Sequence, residues 1–120
     1  MTARPPTLKT RADFLRVAAT RARAARPGLV LQAAPRPDAA DGVRVGYTAS
    51  RRVGNAVVRN RAKRRLRAAA AEVLPRRGRA GTDYVLIARA DTGRRPYAEL
   101  IADLEGALRQ LARQPRPAER

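Results

Sequence analysis

The chain has 120 residues, 27 of them Lys or Arg and only 10 Asp or Glu, so its net charge is +17; it has no His and no Cys. The length suits one small domain, since a second would leave neither half enough apolar area to bury. A field of this size favours a polyanion over a neutral substrate, and the lack of Cys excludes a disulfide framework or thiolate metal site and fits a reducing interior.

No window approaches the roughly 20 apolar residues of a membrane span, and the leader Met1 to Thr10 lacks an apolar core of signal-peptide length. The expectation is a soluble cytoplasmic protein whose partner is nucleic acid, an anionic membrane surface being the other polyanion in play. Apolar residues make up 44% of the chain, but 26 of them are Ala and Phe14 is the only Phe, which predicts a shallow core. Charge is uneven: residues 1–50 carry a net +6, residues 51–79 a net +10 and residues 80–120 a net +1. The middle segment is therefore where a polyanion would be gripped.

In chain order, Met1 to Pro6 and Gln114 to Arg120 are rich in Pro and Arg and read as tails, bounded at about residues 7 and 114. "TRADFLRVAATRAR" begins with Thr10 followed three residues later by Asp13, a capping-box-like start, and sets Phe14, Val17, Ala18 and Ala22 on one helical face. "LVLQAA" follows Pro27-Gly28. After the turn-rich "PRPDAADG", "VRVGYTAS" alternates Val43, Val45, Tyr47 and Ala49 with polar or small residues. These two segments read as an antiparallel pair of strands. "DYVLIARA", Asp83 to Ala90, has the apolar density of a central strand. After Pro96, the residues Tyr97, Leu100, Ile101, Leu104, Leu108 and Leu111 form a stripe of period 3.6, a final core-facing helix.

Between the second and third strands lies "RRVGNAVVRNRAKRRLR", Arg51 to Arg67, with eight basic residues and no acid. At about 100° per residue, Val58, Ala62, Leu66, Ala69 and Val73 fall within a narrow arc that can lie on a sheet. Arg59, Asn60, Lys63, Arg64 and Arg67 sweep the other side, and Arg61 and Arg65 share a ridge beside the seam. Asn55 after Gly54 supplies an N-cap, and Pro75 stops the continuation, so the helix is expected over Asn55 to Leu74. Like charges at i,i+4 cost a few tenths of a kcal/mol per pair, and only Glu72 is close in sequence to relieve them. Stability alone does not select such a face. Arginine in preference to lysine points to phosphate oxygens and stacked bases, which a planar guanidinium binds bidentately or covers. The overall order is αββαβα, an α+β sandwich with helices against one mixed sheet of four strands or fewer.

"GNAVVRNRAKRRLR" closely resembles the signature of the bacterial ribonuclease P protein subunit. The likeness extends through "LKTRADFLRV", "VRVGYTASRRVGN", "DYVLIAR" and "YAELIADLEGALRQL", leaving only the tails outside. It implies a two-layer sandwich of the ribosomal protein domain-2-like kind, with a left-handed crossover from the strand near Tyr47 to the strand near Val85. It further implies a partner, a catalytic RNA bound 1:1, and a substrate, precursor tRNA, whose 5′ leader is removed by Mg²⁺ held in that RNA, none being bound by the protein alone. Arg59, Asn60, Arg61, Lys63, Arg64, Arg65 and Arg67 would then contact the RNA subunit. Phe14 would line a cleft for the single-stranded leader, with Ser50, Arg51, Arg52 and Arg89 near its backbone.

Single-stranded RNA binds well to an aromatic platform, worth about 1 to 3 kcal/mol per stacked base, beside cations that track phosphates. Phe14 and Tyr47 are the aromatics early enough in the chain to serve. Two positions depart from the family pattern: Ala18, where a second cleft aromatic is common, and Leu31, where the first strand often has Tyr. Leader stacking is accordingly expected to be weaker, with electrostatics carrying more of the affinity. A free-standing nuclease would need converging carboxylates or a His. The chain has no His, its acids are scattered, Glu99 and Asp103 are expected on the outer side of the last helix, and Asp83 and Asp91 bracket a strand. The competing class is a structural RNA binder such as a ribosomal protein, which fits the charge equally well.

Overall fold

Thr10 opens the first helix. Its hydroxyl accepts a hydrogen bond from the Asp13 N–H (3.2 Å) and donates one to the Asp13 carboxylate (2.8 Å), which satisfies a first-turn donor that the helix itself cannot. From there the computed structural model, which describes residues 4–114, runs α1 (Arg11–Ala19), β1 (Arg23–Arg26), β2 (Leu29–Pro35), β3 (Arg44–Thr48), α2 (Ala56–Arg77), β4 (Thr82–Ala88) and α3 (Tyr97–Ala112).

The sheet has the order β1-β2-β4-β3. β2 pairs antiparallel with both β1 and β4, whereas β3 pairs parallel with β4, so β3, α2 and β4 form a βαβ unit in a mixed four-stranded sheet. The expected antiparallel pairing of "LVLQAA" with "VRVGYTAS" does not occur, because β4 lies between them. The hairpin partner of β2 is instead β1, "RAAR", joined to it at Pro27-Gly28.

Strand alternation divides the core between two faces. Leu29, Leu31, Val45, Tyr84, Leu86 and Ala88 face α2 and α3, meeting Ala62, Leu66, Ala69, Ala70 and Val73 of the one and Leu100, Leu104 and Ala107 of the other. At about 2 kcal/mol for each fully buried leucine, this is the larger contribution to folding. On the opposite face Val85 and Ala34 pack with Leu8 and Val17, and Phe14 and Ile87 close the edge of that smaller cluster. α1 thus covers only part of its face. Of its expected apolar stripe Val17 is buried and Phe14 half-buried, but Ala18 is exposed and Ala22 lies beyond the helix.

Three further features differ from the sequence expectation. α2 continues through Pro75 to Arg77, since the missing N–H falls in the last turn, where it forfeits a single bond. The N-terminal segment is ordered earlier than residue 7: Pro6 and Leu8 bracket Val45 in two backbone hydrogen bonds of 2.9 Å along the free edge of β3. The tails proper, 1–3 and 115–120, lie outside the described residues. Asp103, expected to face outward, is buried: it accepts the Gly28 N–H at 2.9 Å and pairs with Arg95 at 2.5 Å, while Glu99 is exposed. A Cβ on Gly28 would lie 2.5 Å from that carboxylate, so the β1–β2 turn requires glycine there.

Asp83 does more than end a strand. Fully buried, it accepts two hydrogen bonds from Arg44 (2.8 and 2.7 Å) and one from Arg16 (2.5 Å), while Arg16 also donates to the Pro35 carbonyl (3.2 Å). The carboxylate raises the Arg44 pKa by hydrogen bonding to its charged form. The triad fastens α1 and β3 to β4 and so sets the height of Phe14 above the sheet.

Candidate RNA interface

Two surfaces emerge, one on α2 and one on the α1 side of the sheet. α2 begins at Gly54, whose φ of +151° and whose contact with Val58, 2.8 Å from a hypothetical Cβ, both demand glycine. Asn55 then caps it, its Oδ1 accepting the Val58 N–H at 3.0 Å. Burial starts only at Ala62. The first turn stands beyond the core, with Val57 74% and Val58 38% exposed, so Val58 is not part of the buried seam as expected.

The basic residues of α2 fall into two groups that their spacing does not distinguish. Arg59, Arg61, Lys63 and Arg64 make no ion pair among the described residues, and Asn60 is exposed beside them. Arg65, expected to bind RNA, instead donates to the backbone carbonyls of Thr92 (3.1 Å) and Arg95, in the loop that leads into α3. Arg67 lies over the Tyr47 ring, 5.4 Å from its centroid, a cation–π contact that leaves it only half-exposed. At the far end of the helix, Arg76 and Arg77 approach Glu105 at 4.0 and 3.2 Å. The cations with neither an ion pair nor a ring contact among the described residues, Arg59, Arg61, Lys63 and Arg64, thus lie in the N-terminal half of the helix.

Ser50, Arg51 and Arg52 occupy the tight turn between β3 and α2, where the Val53 N–H bonds to Ser50 O (3.0 Å) and the Gly54 N–H to Arg51 O (3.2 Å). All three are exposed. The parallel register Thr48↔Ile87, carried two residues on, sets Ser50 level with Arg89. Arg89 is also exposed and reaches across the end of β2 to donate to the Arg26 carbonyl (2.8 Å). Four of the expected leader-binding residues therefore follow the C-terminal ends of the neighbouring strands β3 and β4, with the Arg89 side chain drawn toward β1.

Phe14 lies just below them. Its ring rests on the backbone of Gly46, where a Cβ would come within 2.6 Å of Cζ. Tyr47, the other expected aromatic, is on the opposite face: strand alternation turns it toward the α2–α3 core beneath Arg67, and burial raises its pKa. It cannot share a cleft with Phe14. The same parity removes Leu31, which is fully buried against α2 and α3, and presents Gln32 on the α1 side. Only the register of β2 identifies Gln32, since the sequence does not show which of Leu31 and Gln32 faces α1. Across this face two rows follow from the pairing: Gly46, Val85, Gln32 and Arg23, and next to it Thr48, Ile87, Val30 and Ala25. Gly46 and Val85 are buried beneath Phe14, Val17 and Leu8, and Val30 is buried too, so the open part of this shallow floor is Gln32, Arg23, Thr48, Ile87 and Ala25, with the exposed Ala18 along its side.

Nucleophilic or metal chemistry has little to work with. Asp13, Asp38, Asp83, Asp91, Glu99, Asp103 and Glu105 are each engaged by an arginine, and among the described residues no cluster of three or more His, Cys, Asp or Glu could hold a metal ion. Among the described residues no helix is long and apolar enough to cross a membrane. The surface is built for a polyanion.

Comparison with known proteins agrees with that chemistry. The family described as Ribonuclease P matches residues 3–112. The ribonuclease P protein component of Paramagnetospirillum magneticum is 55% identical over 114 residues, covering 92% of this chain and 86% of the relative. That of Ruegeria pomeroyi is 55% identical over 107 residues, covering 87% and 84%. The structure of the Staphylococcus aureus RNase P protein superposes with a TM-score of 0.71 at 27% identity, covering 89% of this chain and 94% of that one. The fold also matches the RNase P protein from Thermotoga maritima, with a TM-score of 0.69 at 23% identity and coverage of 87% and 96%.

Proposed function

Since the chain belongs to the ribonuclease P protein family and is the protein subunit of that ribonucleoprotein, we propose a division of labour in which it binds and the RNA reacts. The N-terminal half of α2 docks on the catalytic RNA through Arg59, Asn60, Arg61, Lys63 and Arg64. Arg67 contributes from its place over Tyr47, whereas Arg65 serves the fold. The shallow face beside α1 receives the single-stranded 5′ leader of precursor tRNA: Phe14 offers an apolar platform, and Ser50, Arg51, Arg52 and Arg89 line the path of the leader phosphates. One protein binds one RNA, in the cytoplasm. The Mg²⁺ needed for phosphodiester hydrolysis is held by the RNA, which suits a chain whose described carboxylates are mostly taken by its own arginines.

The observation that carries this reading is the run of cations Arg59, Arg61, Lys63 and Arg64, without an ion pair among the described residues, on a helix whose other side is buried. The alternative, a structural RNA binder, is separated from it by adding the protein to catalytic RNA and precursor tRNA at low Mg²⁺. Cleavage should be rescued, and Phe14→Ala should weaken precursor tRNA more than mature tRNA, which lacks the leader. Failure to restore cleavage would refute the assignment; equal losses with both tRNAs would make Phe14 a core residue only.

A further inference from the structure

The floor beside α1 does not end under Phe14. Its first row starts at Gly46 and Val85, buried under α1, and emerges at the half-exposed Gln32 and the exposed Arg23 on β1, the free edge of the sheet. Arg23 alternates with Ala24, which is fully buried in the core with α3, so its side chain lies on the α1 side; it is exposed and has no ion pair among the described residues. Arg21 stands beside it in the α1–β1 turn with φ +62°, a left-handed conformation that is unfavourable for an arginine and costs glycine almost nothing. The turn is fixed. The Thr20 hydroxyl donates its one hydrogen to Ala33 O (2.7 Å), with Val17 O as the other acceptor in reach (2.9 Å), and so holds the turn against β2. An exposed arginine is thus kept at a place where the backbone favours glycine.

We propose that Arg21 and Arg23 extend the leader track to the β1 edge, binding phosphates of leader nucleotides farther from the cleavage site than those at Phe14 and Arg89. The inference rests on the leader reading above. α2 packs over β3 and β4, and β1 lies three strand spacings from β3, about 14 Å away. Nucleotides near the catalytic RNA therefore lie toward β3, and more distal ones meet β1. Two guanidiniums at and beside the β1 end of that row supply the cations that single-stranded RNA requires.

The test uses holoenzyme reconstituted with the double variant Arg21→Gly, Arg23→Gln and precursor tRNAs of graded leader length. Arg21→Gly relieves the backbone, so loss of binding cannot be put down to misfolding, and the thermal midpoint verifies this. With long leaders the log–log salt dependence should become shallower by about 1.4, at roughly 0.7 per single-strand phosphate. Short-leader and mature tRNA should bind as before. A variant that follows the wild type at every leader length overturns the proposal, as does an equal loss on mature tRNA, which would move the contact to the tRNA body or the catalytic RNA. A wild type whose affinity is indifferent to leader length would overturn the leader reading itself, a result distinct from the other two.

Discussion

Arg65→Ala should lower the melting temperature of the free protein by about 8 °C and barely change the salt dependence of RNA binding, whereas Arg61→Ala should do the reverse. The two arginines are one helical turn apart. Arg65 donates to the carbonyls of Thr92 and Arg95 and thereby ties α2 to the loop before α3. Hydrogen bonds from charged groups are worth about 1.5–3 kcal/mol; for a half-exposed guanidinium each is reduced by solvent to about 1 kcal/mol, giving about 2 for the pair. At about 4 °C per kcal/mol for a domain of this length, that is the stated shift. Arg61 is exposed and unpaired among the described residues, so its truncation stays within about 0.5 kcal/mol. It should cost about 0.7 to 0.9 in the log–log salt slope if it holds one phosphate. Calorimetry in a buffer without polyvalent anions gives the first quantity, and filter binding to the catalytic RNA across a salt series gives the second. Arg65→Ala melting at the wild-type temperature with a shallower salt slope would refute the division of the helix into structural and binding arginines.

Gly46→Ala should cost about 1–3 kcal/mol by overpacking, because its new methyl would strike the Phe14 ring; in a Phe14→Ala background most of that cost should vanish, and strict additivity in the thermal-denaturation cycle would show that the ring does not rest there. The Asp38 carboxyl is held at about 2, below its ordinary 3.8, chiefly by hydrogen bonding to Arg36. A lowered folded-state pKa means that its contribution is complete above pH 3.8 and is lost as pH falls from there toward 2. Asp38→Asn should therefore lose less stability than the wild type over that window, and parallel acid-unfolding curves would contradict the pairing.

Local signals in the sequence were read well. Thr10, Asn55 and the 3.6-residue stripes of α2 and α3 act within a few residues of themselves, and each gave its helix. Pairing and facing were not legible to the same degree. "RAAR" has a single buried residue in four, too little alternation to announce a strand, and it is recognisable only because β2 has an edge to fill. Whether Leu31 or Gln32 faces α1 turns on a register parity that a one-residue slip would reverse. Arg65 could not be separated from Arg61 because the carbonyls it serves lie 27 and 30 residues away. The turn residues Ser50, Arg51 and Arg52 are identified by resemblance, and only the parallel register of β3 and β4 sets Ser50 level with Arg89.

The few acids of the chain bear on why a protein of +17 keeps an open basic face. A carboxylate near α2 would lower self-repulsion, yet the two most deeply buried ones are elsewhere, Asp83 between α1 and β3 and Asp103 beneath the β1–β2 turn. Buried charges of this kind repay their desolvation only with full hydrogen bonding, and both have it, from Arg16 and Arg44 in one case and from Gly28 and Arg95 in the other. They consume arginines that would otherwise add to the repulsion, and they hold α1 and the hairpin in place against the sheet. Asp38, Asp91 and Glu105 quench further arginines away from the first turns of α2. Neutralisation is therefore spatially selective: the fold compensates charge where it must pack and, among the described residues, leaves it without an ion pair on Arg59, Arg61, Lys63 and Arg64 and on Arg21 and Arg23 at the β1 edge. Counterion release on binding a polyanion gains most from charges in that state. The same arrangement that makes the free protein electrostatically tense is what gives the RNA its grip.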